Sequence, residues 1–159
     1  MEAPVQKITA DNRRYPARPI VGVGGLIFDG PSILLIKRGK EPGKGLWSIP
    51  GGALKTGETL SEGVAREIEE EVGLIVEVGP LVEVVERIIP GENGVSLYHY
   101  VILDYLCRSV DDRPPRPGTD AEEARFVSPE NWAAYKQPDI AIKIFHKALA
   151  LAPGAFGPL

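Results

Sequence analysis

The sequence predicts an α+β protein, an α/β/α sandwich whose mixed sheet carries helices on its faces. Three observations predict it. Short apolar runs rich in β-branched residues alternate with turn chemistry. Two other stretches carry a helical apolar period instead. In chain order these segments fall as strands, helix, strands, helix. At 159 residues the chain has the length of one domain with a substantial core.

Residues 1–18 are polar and hold Pro4, Pro16, Arg13, Arg14 and Arg18, which reads as an N-terminal arm. Residues 19–150 are expected to form the domain. Residues 20–28 (IVGVGGLIF) and 33–38 (ILLIKR) read as strands, joined by the turn chemistry of Asp29-Gly30-Pro31-Ser32. Residues 39–50 (GKEPGKGLWSIP) read as a loop, because glycine and proline punctuate them. Thr59 and Glu62 match a capping box, and Leu60, Val64, Ile68 and Val72 recur every four residues. Gly73 then supplies a helix stop, so a helix is expected over 60–72.

Residues 75–89 are apolar and β-branched and read as one or two strands. Residues 91–94 (GENG) read as a turn, and 96–106 (SLYHYVILDYL) as another strand. Residues 111–120 (DDRPPRPGTD) form a loop, and 124–127 a short strand. Ser128-Pro129-Glu130 resembles a helix start. A second amphipathic helix is expected over about 140–149, from the shared face of Ile142, Phe145, Ala148 and Leu149. The segment 151–159, around Pro153, is expected to be a flexible tail.

Composition narrows the function classes. The net charge of -4 argues against a nucleic acid polymer as partner, since phosphate backbones are held by basic faces. A small nucleotide remains open, because a divalent cation can supply the positive charge. Cys107 is the single cysteine, so no disulfide forms within the chain. No apolar run approaches the roughly 18 residues of a membrane span, and no signal-peptide core stands at the N-terminus. A cytoplasmic protein with no membrane partner is expected. The arm and exposed strand edges could serve a homodimer.

The chemistry concentrates on the first helix. With about 100° between residues, Glu67, Glu70 and Glu71 share one arc of roughly 100° beside the apolar ridge, while Glu69 points away to water. Three carboxylates there can converge on a hard cation that also holds substrate phosphates. The alternative is a solvated acidic face. Two features favour the cation. The acids crowd one arc, and Pro50-Gly51-Gly52 stands close upstream, able to bring backbone carbonyls near it.

Gly52, Glu58, Arg66-Glu67-Ile68, Glu70-Glu71 and Gly73-Leu74 resemble the full Nudix box, G-x5-E-x7-R-E-U-x-E-E-x-G-U, with U aliphatic. Every constrained position matches, which is far more specific than a lone G-x-G-x-x-G. The order of segments around the box, from about Arg18 to Leu149, is similar to the Nudix fold. The resemblance implies metal-dependent hydrolysis of a nucleoside diphosphate linked to another moiety. It implies Glu67, Glu70, Glu71 and the Gly52 carbonyl as ligands for Mg²⁺, with Mn²⁺ as the alternative. It implies that Arg66 holds a box glutamate and that Glu58 fixes the loop before the helix. Glu67 is the expected general base, and Glu123 the rival outside the box.

Arg38 and Trp47 are candidate substrate contacts, each with a plainer reading as a strand-end charge or a packed ring. Pro90, sixteen residues after Leu74, and the entry Tyr15-Pro16-x-Arg18-Pro19 resemble the ADP-ribose pyrophosphatase-like group, which adds Arg18 to the substrate contacts. Hydrolysis of ADP-ribose to AMP and ribose 5-phosphate is therefore the leading expectation. A (deoxy)nucleoside triphosphate pyrophosphatase is the alternative enzyme. A non-catalytic nucleotide-binding sensor is the alternative of another class.

Overall fold

The computed structural model describes residues 13–157. The arm expected over 1–18 lies largely outside them. Seven strands form one sheet: β1 (Ile20–Asp29), β2 (Ser32–Arg38), β3 (Trp47–Ser48), β4 (Gly51–Ala53), β5 (Val76–Pro90), β6 (Ser96–Ser109) and β7 (Ala121–Val127). Two helices complete it, α1 (Leu60–Val72) and α2 (Asp139–Ala155). The path across the sheet is β3-β2-β1-β6-β5, with β4 also paired to β1 and β7 to β2. β1 runs parallel to β6 and antiparallel to β4, so the sheet is mixed.

Alternation along the strands makes the sandwich. Val23 and Ile27 of β1 and Leu34 and Ile36 of β2 pack under Val64, Ile68 and Val72 of α1. The intervening Leu26, Ile33 and Leu35 face the other way, against Ile144, Phe145 and Ala148 of α2. Each fully buried aliphatic side chain in these layers contributes roughly 2 kcal/mol. Cys107 is buried in the α1 layer, where burial pushes its thiol up to about 12.

α1 has the expected bounds and ends. The Thr59 hydroxyl accepts from Glu62 N–H, and the Glu62 carboxylate accepts from Thr59 N–H. Gly73 closes the helix in the left-handed region at φ 69. The Pro-rich loop between β6 and β7 then folds back: Gly118 N–H donates to the Glu71 carbonyl, and Arg116 N–H to that of Val72. Those are carbonyls a helix end leaves without partners.

Several elements depart from expectation. The 39–50 loop contains β3, which pairs with Ile36 and Lys37 of β2. β7 begins at Ala121, three residues early, because β2 offers backbone partners out to Arg38. β5, by contrast, is one of the two arrangements expected, a single strand with register shifts around Gly79-Pro80. The helix start expected at Ser128 is only a 3-10 turn, Pro129–Asn131. α2 runs past 149 and includes Pro153. Its apolar face continues through Leu149, Ala152 and Ala155, and Phe156 seals the end against the sheet. The Arg108 guanidinium lies 4.8 Å from the Phe156 ring centre. The tail is therefore docked as far as Phe156. Among the described residues no helix is long and apolar enough to cross a membrane.

Candidate active site

One cleft of about 1000 Å³ opens between the loop after β2, the turn at Pro50-Gly51-Gly52 and the N-terminal part of α2. Glu67, Glu70 and Glu71 line it, while Glu69 is exposed on the far side of α1. The helical arithmetic thus holds: three acids share the arc beside the buried ridge.

Arg66 organises this end of the site. Its Nε donates to Glu58 Oε2 at 2.9 Å and its Nη2 to Glu58 Oε1 at 2.5 Å, a bidentate fork. Nη2 also donates to the Ala53 carbonyl at 3.1 Å, tying α1 to β4. Nη1 reaches Glu67 Oε1 at 2.7 Å and, more loosely, Glu70 Oε2 at 3.3 Å. Glu58 also accepts from Lys55 N–H at 2.7 Å. The Arg66 guanidinium, with that N–H, holds the Glu58 carboxyl down at about 2. Glu58 is thus a permanent anion whose work is to anchor Arg66.

Glu71 is set differently. It is only 8% exposed, and Gly51 N–H donates to its Oε2 at 3.0 Å. Burial, with the nearby Glu67 charge, pushes its carboxyl up to about 8, against the lowering effect of that N–H. Gly52 has its α-carbon pressed to Glu67: a Cβ there would lie 2.5 Å from the Glu67 carboxylate. The two glycines of β4 thus stand against the two inner glutamates.

Among the described residues, no three His, Cys, Asp or Glu side chains stand as a ready metal-binding group. Glu67 and Glu70 turn to Arg66, and Glu71 to Gly51. The donor set nevertheless fits a hard divalent cation. It consists of carboxylate and carbonyl oxygens, and its most buried member, Glu71, is an acid whose ionised form lacks a cationic partner in hydrogen-bonding contact.

The remaining expected residues divide. Arg38 lines the cleft, with its Nε on the Pro42 carbonyl at 2.8 Å. Trp47 lines it too, edge-on to Tyr135 at 4.9 Å between ring centres. Arg18 is exposed and does not line the cleft. Glu123 does not line it either. It sits opposite Lys37 in the β2–β7 register, and its carboxylate pairs with Arg125 at 2.6 Å and Lys37 at 3.8 Å. Asp104 and Tyr100 line the cleft and went unremarked in the sequence. The signal for Asp104 was there: one carboxylate inside the apolar run YVILDYL.

Comparison with known proteins agrees with this geometry. The NUDIX domain family model matches residues 18–147. An ADP-ribose pyrophosphatase of Methanocaldococcus jannaschii is 36% identical over 80% of this chain and 72% of its own length. The 8-oxo-dGDP phosphatase NUDT18 of Mus musculus is 37% identical over 45% of this chain, a match spanning only 20% of that protein. The crystal structure of a MutT NUDIX hydrolase from Burkholderia pseudomallei superposes with a TM-score of 0.68 at 31% identity. It covers 82% of this chain and 98% of that one. A family match across most of the sequence, a relative of this similarity and a cleft lined by Gly52, Glu67, Glu70 and Glu71 of the complete box lead to one assignment: the chain belongs to the Nudix hydrolase family.

Proposed function

We propose that this hydrolase cleaves ADP-ribose to AMP and ribose 5-phosphate. The similarity to the Methanocaldococcus jannaschii ADP-ribose pyrophosphatase, across four-fifths of this chain, carries the choice of substrate. Glu67, Glu70, Glu71 and the Gly52 carbonyl would hold the cation, Mg²⁺ with Mn²⁺ as the alternative. When bound, such a cation offsets the charge of the diphosphate and acidifies water.

The chain's own groups do the rest. Glu67 is the general base: Arg66 occupies its Oε1, so its Oε2 serves either the cation or the proton of water, and in the base role the cation would rest on Glu70, Glu71 and the Gly52 carbonyl. Water adds to one phosphorus, the bridging P–O bond breaks, and the leaving phosphate oxygen departs with the other product. Glu123, tied to Arg125 and Lys37 outside the cleft, is the poorer candidate for the base. Arg38 lines the cleft wall, which supports a role in pairing with phosphate oxygens.

The test is a substrate panel with Mg²⁺, including ADP-ribose, nucleoside triphosphates and oxidised guanine nucleotides. Release of AMP and ribose 5-phosphate as the fastest reaction supports the proposal. Cleavage of a triphosphate with ADP-ribose untouched would reject it in favour of a (deoxy)nucleoside triphosphate pyrophosphatase.

A further inference from the structure

Asp104 sits in the middle of β6 and is 6% exposed, and its Oδ1 has no hydrogen-bond partner. Tyr100, on the same face of the strand, is 8% exposed with an unpartnered hydroxyl. Both line the cleft. A buried polar atom without a partner costs roughly 1–3 kcal/mol, so four in one cleft, Arg13 Nε and Ser48 Oγ being the others, need a physical reason. Burial and the Glu83 charge push the Asp104 carboxyl up to about 6, and a leucine there would avoid that cost. The neighbouring strand is cut away to admit the group: a Cβ on Gly24 would clash with Asp104 Oδ1.

Position says what part of a substrate Asp104 meets. Gly24 pairs with Asp104 on one side and with Gly51 on the other, and Gly51 holds Glu71. Two strand spacings, roughly 10 Å, therefore separate Asp104 from the Gly51 backbone that holds Glu71, and α1 with its acids packs on the other face of the sheet. An anion there repels phosphate and accepts N–H or O–H donors. Ile49, Ile102, Ile144 and Phe145 line the same cleft. Apolar walls with a few polar groups suit a nucleoside, whose faces are apolar and whose edge is polar.

We infer that Asp104 selects the nucleoside of the substrate, accepting a hydrogen bond from a donor on its base or ribose at the floor of the cleft. This rests on the cleft being a nucleoside diphosphate site. Tyr100 supplies a second hydrogen-bonding hydroxyl on the same strand face. A site built around a buried acceptor rejects ligands that lack the matching donor, because the acceptor is then left unpaired.

The experiment compares kcat/KM for ADP-ribose, for the inosine analogue that replaces the amino group by a keto oxygen, and for the adenosine 2′-deoxy analogue. It uses the wild-type chain and Asp104→Asn with Mg²⁺. The wild type is expected to lose at least tenfold on one analogue: the inosine compound if the base donates, the deoxy compound if the ribose does. Asp104→Asn is expected to shrink that ratio at least tenfold, through KM, with kcat within about threefold. A purely structural aspartate would leave the ratio alone, whatever the melting temperature does. Equal turnover of all three substrates by the wild type overturns the inference even if the variant does not fold, and so does an unchanged ratio in a folded variant. If the wild type ignores all three and cleaves a different nucleoside diphosphate, the ADP-ribose proposal fails. The same comparison on that nucleoside, with and without each donor, then decides the role of Asp104.

Discussion

A methyl group on Gly51 would strike the carbonyl of Val23, a backbone atom of the next strand that cannot swing aside. A methyl on Gly52 would instead meet the Glu67 carboxylate at 2.5 Å, the far end of a flexible side chain. The same substitution at adjacent residues should therefore fail differently. Gly51→Ala is expected to destabilise the fold by roughly 2–4 kcal/mol, read by urea denaturation. Gly52→Ala is expected to fold with a loss under about 1 kcal/mol, yet to drop kcat at least a hundredfold by displacing Glu67. If Gly52→Ala keeps wild-type kcat, Glu67 is not the base. The arginine of the box is specific at this scale too. The fork from Arg66 to Glu58 uses two nitrogens while a third holds Glu67, and a lysine has no such planar spread.

At the scale of elements, α1 is held at both ends by chain outside it. Its N-terminus is closed locally by Thr59 and Glu62, but its C-terminal carbonyls are met by Arg116 and Gly118 of a distant loop. Gly118 has no room for a side chain, since a Cβ there would clash with the Glu70 carbonyl. Gly118→Ala is expected to push that loop off the helix and cost roughly 2 kcal/mol by chemical denaturation, with faster amide exchange at position 118 and at Arg116. An unchanged midpoint would mean the loop does not hold the helix. The contrast explains what could be read ahead of the structure. The bounds of α1 and the shared arc of Glu67, Glu70 and Glu71 follow from short-range rules of spacing and capping. β3, the early start of β7 and the docking of Phe156 depend on partners far along the chain. Glu123 shows the same limit: a strand register, which no local pattern states, turned it toward Lys37 and Arg125. Asp104 broke the apolar pattern of its strand, and such breaks mark where a cleft competes with the core.

Across the whole molecule two carboxyls pull stability against pH in opposite directions. Asp104 has its ordinary value of 3.8 raised to about 6 by burial and by the Glu83 charge. Below about pH 4 it is protonated in both folded and unfolded chains and costs no charge burial. As pH rises through 6 the folded protein must ionise it in place, and stability on the order of 3 kcal/mol is lost. Glu58 has its ordinary value of 4.5 lowered to about 2 by Arg66, with help from Lys55 N–H. Its contribution is full above about pH 4.5 and is lost as pH falls through 2. Melting temperatures of Asp104→Asn and Glu58→Gln against wild type, from pH 2 to 7, should therefore cross. Asp104→Asn should gain on wild type between pH 4 and 7, while Glu58→Gln should show its full deficit at pH 7 and lose it toward pH 2. A flat difference for Asp104→Asn would mean the carboxyl finds a partner in solution. The two residues also divide the molecule by purpose. Glu58 sits where its charge, through Arg66, holds α1 to β4. Asp104 weakens the fold at neutral pH, a cost that a strand in the core would shed and that a cleft reading its substrate retains.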